Sequence, residues 1–386
     1  MSRIDEMLAD LAPIGAEYYR TGDIADVGTG SSDRKDATPD GAFPFFVRSK
    51  EVLRIDSYEF DEEAIVIPGE GGIGEIFHFA SGKYALHQRA YRIRFRIPNL
   101  DTRFAYYYFA ACFKDFILRK AVSATVTSIR KPMITDFPIP VPPLEVQREI
   151  VRILDQFTQL EAELEAELEA RRVQYAHYRD SLIGAADGPA VAMGEIGTFI
   201  RGRRFTKNDV VEAGIPSIHY GEIYTDYGVY ASCAIREVRS DMAGQLRFAQ
   251  PRDVIFAGVG ETVEDVGKAV AWLGTDPVAV HDDTFSFTSD LDPKYVAYAV
   301  QTRDFHAQKA NYVARGKVKR LSSAGLAQIT IPVPSAAKQR HIVAILDAFD
   351  ALVNDLSIGL PAEIAARRSQ YEYYRDKLLT FKEAAA

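Results

Sequence analysis

The sequence predicts an α+β protein written twice. It reads as two tandem α+β domains separated by two long helices, which form an antiparallel coiled coil around a pseudo-two-fold duplicated frame. Three observations predict this. The chain has 386 residues, more than one ordinary domain, with the 47% hydrophobic and 26% charged content of a globular protein. One block occurs twice: "IPVPPLEVQREIVRILDQF" begins at Ile139 and "IPVPSAAKQRHIVAILDAF" at Ile331, 192 residues later. Each block runs into apolar residues at helical spacing, and those runs end in a second repeated block. That block is "ARRVQYAHYRDSLI" from Ala170 and "ARRSQYEYYRDKLL" from Ala366, now 196 residues apart. Between the blocks the second copy is therefore four residues longer.

The elements follow in order. Residues 1–142 form the first α+β domain with an N-terminal segment, 143–184 a central long helix, 185–334 the second α+β domain and 335–386 a C-terminal long helix. Weaker echoes tie the two domains together: "GDIADVGTG" from Gly22 with "GEIGTFIRG" from Gly194, and "NLDTRFAYYYF" from Asn99 with "DLDPKYVAYAV" from Asp290. "EEAIVIPG" (62–69) and "RDVIFAG" (252–258) are short β-rich runs ending at glycine. "YALHQRAYRIRFRI" (84–97) becomes an alternating strand with Tyr91, Ile93, Phe95 and Ile97 on one face, and "TRFAYYYFAACFKDFILRK" (102–120) reads as a buried aromatic helix.

Pro142 and Pro143 suit a helix entry. Behind them the pairing stripe is Leu154, Phe157, Leu160, Leu164 and Leu168; in the second copy it is Leu346, Phe349, Leu352, Leu356 and Leu360. Most steps are three or four, the spacing of a coiled-coil seam. Gly359 and Pro361 cost a helix interior roughly 1 and 3 kcal/mol, so a kink or restart is expected there, with Pro361 in the first turn of the second half. Residues 160–170, "LEAELEAELEA", repeat a four-residue phrase that does not match the 3.6-residue turn.

Catalytic signatures are absent from the sequence. "GEGGIG" (69–74) fits G-x-G-x-x-G, but "EIFHFASGKYALH" follows where a helix should open, and the later "QRAYRIR" is basic where an acid is needed. It reads as a glycine-rich turn. Gly267-Lys268 and Gly82-Lys83 lack the hydroxyl residue of a Walker A loop. The seven histidines show no close pairing with each other or with Cys112 and Cys233, so no metal site is expected. The only tandem prolines, in "VPPL" (141–144), lack the flanking residues of adenine methyltransferases. Two isolated thiols fit a reducing, cytoplasmic setting. No apolar run is long enough to span a membrane.

Binding remains. The net charge is −8, yet the base is concentrated: "FIRGRRFTK" (199–207) and "VARGKVKR" (313–320) each hold four bases and no acid. The first supplies Arg201, Arg203, Arg204 and Lys207 among aromatics, a combination suited to phosphate and base-edge contact. "SIHYGEIYTDYG" (217–228), read as a strand and loop, adds His219, Tyr220 and Tyr224. "RGKVKR" adds Arg315, Lys317, Lys319 and Arg320, and in the first copy it aligns with "SATVTS", which carries Thr125 and Thr127. Comparable candidates in the first domain are Ser31, Ser32, Arg34 and Lys35; Arg48, Ser49 and Lys50; and Gln88 and Arg89. Two frames that match while their charged residues differ would suit two readers of different sequences.

These blocks, with the "GEIGTFIRG…IPSIHYGEIYTDYG" opening, resemble the specificity subunits of type I restriction–modification systems over nearly the whole chain. The resemblance implies that each α+β domain is a target recognition domain reading one half of a bipartite DNA site. It implies that the long helices set the spacer and dock two methyltransferase subunits, which hold S-adenosylmethionine and methylate adenine. This chain would carry no cofactor and no catalysis, and separate restriction subunits would translocate and cut. The "LEAE" run looks like a central repeat whose copy number sets the spacer, although its last copy stops at Leu168-Glu169-Ala170 and the second helix has none. Two other readings compete: a coiled-coil scaffold whose α+β domains bind protein or RNA, and a nucleotide-dependent enzyme using "GEGGIG".

Overall fold

The structure, a computed structural model, describes residues 6, 15–120, 128–314 and 316–383. Four long helices run in chain order among them: α1 (Thr102–Lys120), α2 (Leu144–Gly184), α3 (Ala336–Asn354) and α4 (Leu360–Leu378). The chain divides into two compact units. Unit 1 takes Met1–Glu163 and Ala365–Ala386; unit 2 takes Leu164–Ile364. Each unit thus holds an α+β domain together with half of each long helical segment.

Unit 1 is built on two four-stranded sheets. One has the order Ala25–Thr29, Ala90–Phe95, Ala64–Pro68, His78–Ala80. The other has the order Val52–Ile55, Phe43–Phe46, Lys83–Leu86, Phe60–Asp61, with a parallel pair in the middle. The expected single strand over 84–97 is therefore two strands in two sheets, broken by a turn at 87–89. Tyr91, Ile93, Phe95 and Ile97 do share one face, against α1 and α2. Unit 2 repeats the plan with two five-stranded sheets. Gly197–Arg201, Thr284–Ser289 and Val254–Ala257 lie side by side in one; Ile215–Ile218 and Val278–Val280 form the parallel pair of the other. The region matching α1 is broken into Pro293–Ala299 and Arg303–Lys309, where the Thr302 hydroxyl caps the second piece.

The duplication holds at the level of single hydrogen bonds. The buried Gln147 side chain accepts from the Asp101 N–H at 2.8 Å and donates to the Pro142 carbonyl at 2.6 Å. Gln339 does the same with Asp292 and Pro334, both at 2.8 Å. The Tyr107 phenol donates to Asp155 at 2.6 Å, and Tyr298 to Asp347 at 2.7 Å.

Both units pair their helix halves antiparallel. In unit 1, Phe157 of α2 stacks on Tyr374 of α4 with ring centroids 5.7 Å apart, and Glu161 meets Arg368 at 2.5 Å. In unit 2, Tyr178 of α2 stacks on Phe349 of α3 at 5.2 Å, and the Tyr175 phenol donates to Asp350 at 3.2 Å. The same Phe–Tyr stack thus appears in both copies. Leu154 and Leu346 are fully buried, Leu164 and Leu360 nearly so; Leu168 packs on the core of unit 2, and Leu160 is half-buried.

The second helix restarts where Gly359 and Pro361 were expected to interrupt it. The Asp355 carboxylate accepts from the Ser357 N–H at 2.7 Å and the Ile358 N–H at 3.3 Å, which closes a turn. A Cβ on Gly359 would lie 2.4 Å from the Ala351 carbonyl oxygen, so only glycine fits. This turn corrects the pairing stripe. Leu356 lies outside both helices and is 81% exposed, and Leu352 one turn earlier is 38% exposed.

Candidate nucleic-acid interface

In unit 1 the tertiary fold brings together three segments that are far apart in sequence. Ser32 bridges to His87, and the Gln88 N–H donates to the Ser32 carbonyl at 2.9 Å. A cleft of about 240 Å³ opens here, lined by Arg34, Arg48, Ser49, Glu70 and His87. Arg34 and Lys35 are exposed on the single turn Arg34–Asp36, which Asp33 caps. Gln88 donates from its amide to Asp33 at 2.9 Å. Arg48 and Arg89 share the Glu70 carboxylate at 2.9 and 3.0 Å. Hydrogen bonding from Arg89, and then its charge, hold the Glu70 carboxyl below the usual range. Ser31 and Ser32 are tied to Glu59, the first by its N–H at 2.9 Å and the second by its hydroxyl at 2.6 Å. Ser49 donates to the Glu51 carbonyl at 3.1 Å, and Lys50 is exposed. Thr125 and Thr127 lie outside the described residues.

Glu70 belongs to "GEGGIG". Gly71, Gly72 and Gly74 there have φ of +73°, +55° and +65°, the left-handed region, and the next element is the strand His78–Ala80. The motif is a glycine-rich turn that leads into a strand and not into a helix.

Unit 2 gathers its bases in the same place. Arg201, Arg203, Arg204 and Lys207 are all exposed. Arg201 donates to the Asp282 carbonyl at 2.6 Å and faces its carboxylate at 3.5 Å. Arg320 pairs with Asp283 at 3.3 Å. Lys319 donates to the Gly316 carbonyl at 3.0 Å, and Lys317 is exposed. Arg315 lies outside the described residues. Lys207 and His219 line a second cleft of about 230 Å³ with Glu222 and Arg236.

Two expectations for the aromatic segment are corrected. After the strand Ile215–Ile218, residues Tyr220–Thr225 form a short helix, which His219 caps by accepting the Gly221 N–H at 3.2 Å. Tyr224 turns inward, its phenol donating to the Val259 carbonyl at 2.6 Å, so burial of its ring takes precedence over surface contact. Tyr220 packs on the His219 ring at 4.4 Å.

Sequence reading missed His281. Its ring lies 4.3 Å from His219, which brings together two histidines remote in the chain. Nδ1 accepts the Asp283 N–H at 3.1 Å, so Nε2 carries the proton and donates to the Phe205 carbonyl at 3.1 Å. Burial lowers the pKa of His281, and burial followed by the neighbouring His281 charge lowers that of His219 to about 4; both are neutral at pH 7. Side-chain donor atoms of His281, Asp282 and Asp283 fall within 4.8 Å of one another. Both ring nitrogens and both carboxylates are already engaged, so this set does not fit a metal. The signal was present in the sequence: "ALHQRA" from Ala85 matches "AVHDDT" from Ala279 at an offset of 194.

A chain that carries one α+β plan twice, each copy with its own antiparallel helix pair and its own guanidinium-bearing cleft, defines a duplicated two-site binding protein. Known proteins agree. The family model for the type I restriction modification DNA specificity domain matches residues 13–170 and again 190–366. A putative type I restriction enzyme specificity subunit of Haemophilus influenzae is 27% identical over 355 residues, 88% of this chain and 89% of that protein. A type I restriction enzyme specificity subunit of Escherichia coli is 33% identical over 263 residues, 63% of each chain. The fold is shared with the solved S subunit of a type I restriction–modification system from M. genitalium, with TM-score 0.55, 17% identity and coverage of 96% and 97% of the two chains. A second solved chain, from work on complex assembly and conformational transition of the type I system, gives TM-score 0.63 at 14% identity, covering 96% of this chain and 98% of that one. The chain belongs to the type I restriction–modification specificity subunit family. No described helix is long and apolar enough to cross a membrane.

Proposed function

We propose that each unit reads one half of a bipartite, asymmetric double-stranded DNA site, and that the paired helices set the spacer and dock two methyltransferase subunits. The observation that carries this reading is the combination of a duplicated frame with two differently charged clefts. The Gln147/Gln339 and Phe–Tyr contacts repeat, whereas the charges differ: Arg34, Arg48 and Glu70 line the cleft of one copy and Lys207, Glu222 and Arg236 that of the other, and beside them Arg89 pairs with Glu70 where Arg201 and Arg320 pair with Asp282 and Asp283. A shared frame with unlike readers yields two unlike half-sites. The chain itself is non-catalytic in this reading. S-adenosylmethionine belongs to the methyltransferase subunits, restriction subunits join the same complex, and the setting is cytoplasmic.

The test is co-expression of this chain with its cognate methyltransferase, followed by genome-wide mapping of methylated adenine. The reading predicts one motif of two unlike halves around a fixed spacer, and no methylation when this chain is omitted. Methylation that follows no motif, or that persists without this chain, would exclude it.

A further inference from the structure

The turn that follows the buried histidine is built in the same way in both units. His87 and His281 are 4% and 7% exposed. Each donates its backbone N–H to the adjacent parallel strand, to Phe46 at 2.9 Å and to Ile218 at 3.2 Å. Each ring accepts, through Nδ1, the N–H two residues on, at 3.0 Å from Arg89 and 3.1 Å from Asp283. The carbonyl of that second residue accepts from a glycine, Gly69 or Gly258, at 2.8 Å in both. The backbone of the turn is thereby fixed, and the two residues after the histidine are left free to vary.

They vary by inversion of charge. In unit 1 the turn carries Gln88 and Arg89, and the carboxylates reach it from outside, from Asp33 and Glu70. In unit 2 the turn carries Asp282 and Asp283, and the guanidiniums reach it from outside, from Arg201 and Arg320. Glu70 and Arg320 sit on the two sides of one equivalent bridge, Glu70 opposite Ser128 in unit 1 and Val259 opposite Arg320 in unit 2. In each unit the guanidinium is the outer partner. Arg89 is 58% exposed against 43% for Glu70, and Arg320 61% against 24% for Asp283.

A carboxylate about 3 Å behind a guanidinium does two things. It anchors one arm of the fork and so restricts its orientation, which directional contact with a base edge requires more strictly than charge attraction to a phosphate does. It also repels a charged phosphate more strongly than a neutral guanine edge. We propose that the histidine turn, with the guanidinium held on it, is the base-reading element of each unit, with Arg89 specifying a base in one half-site and Arg320 in the other. This rests on the two-half reading above. Asp283 and Glu70 act as positioning residues.

The experiment uses the full chain in complex with its methyltransferase and maps methylated adenines for the unaltered chain, Arg89→Ala, Arg320→Ala, Arg89→Lys and Arg320→Lys. The lysine variants keep the charge and lose the fork, and they guard against loss of folding in the alanine variants. Both substitutions of Arg89 are expected to relax base preference at one position of one half-site, by about 5- to 150-fold in discrimination. Those of Arg320 should do so in the other half. Lysine variants that retain full discrimination, or any of the four that slows methylation uniformly over an unchanged motif, would assign these residues to phosphate and overturn the proposal. Absence of a two-part motif from the unaltered chain would instead remove the reading on which it rests.

Discussion

At the scale of residues, the two copies of the frame are held by the same buried side-chain contacts. Gln147 and Gln339 stand in the repeated blocks, and the structure gives them the same buried hydrogen bonds. Gln147→Ala strands the Asp101 N–H and the Asn99 and Pro142 carbonyl oxygens and should cost roughly 2–4 kcal/mol in urea unfolding; a loss near zero would mean that water replaces the side chain. The clefts were harder to read. Basic segments were visible as composition, but Glu70, Asp282 and Asp283 become partners only when loops remote in sequence meet, and Tyr224 faces inward because its ring is better buried than exposed. His219 gives a pH test. Its folded pKa, about 4, lies below the ordinary 6.5, so the unfolded chain binds the proton more readily. Its contribution to stability is complete above about pH 6.5 and is lost as pH falls toward 4. His281, Arg236, Asp282 and Asp283 surround it, and burial of Glu222 and Asp253 acts in the opposite sense. The readout is therefore a difference: His219→Asn keeps a capping residue and should flatten the pH dependence of thermal unfolding between pH 6.5 and 4. An unchanged slope would contradict the assignment.

At the scale of elements, helical periodicity was strong enough to place α2, α3, α4 and the restart between the last two. It could not say which leucines of the second stripe would pack. The Asp355 turn swings Leu356 into solvent, a local hydrogen-bonding choice that hydrophobic spacing does not encode. Helix α2 is continuous through "LEAELEAELEA" (160–170), which spans the point where its two halves join different units. Four helical residues advance about 6 Å and leave a net turn of about 40°. One base pair of B-DNA advances about 3.4 Å and turns about 34–36°. Inserting one further "LEAE" adds a stutter that the helix pair can absorb. It should preserve both half-sites and lengthen the spacer by about one base pair, as mapped methylation would report. An unchanged spacer, or loss of either half-site, would count against the helix as a ruler.

At the scale of the molecule, the sequence repeats are the trace of a cross-paired duplication. Phe157 stacks on Tyr374 and Tyr178 on Phe349, so each unit completes its helix pair with residues from both copies of the repeat. That explains why the helical blocks match closely while the domains match only in their frame. The helices answer to each other, whereas in the proposed reading each domain answers to its own half-site. The frame was legible because packing repeats it. The bases read were not, because they depend on a few side chains set by tertiary contact. The most direct measurement of the central claim is a domain exchange. Residues 21–135 would be replaced by the matching segment of a relative with a different specificity, and adenine methylation mapped with the cognate methyltransferase. Independent readers predict that one half-site changes to the donor's while the other half and the spacer stay as they were. A change in both halves, or in neither, would contradict the claim that each unit reads its half alone.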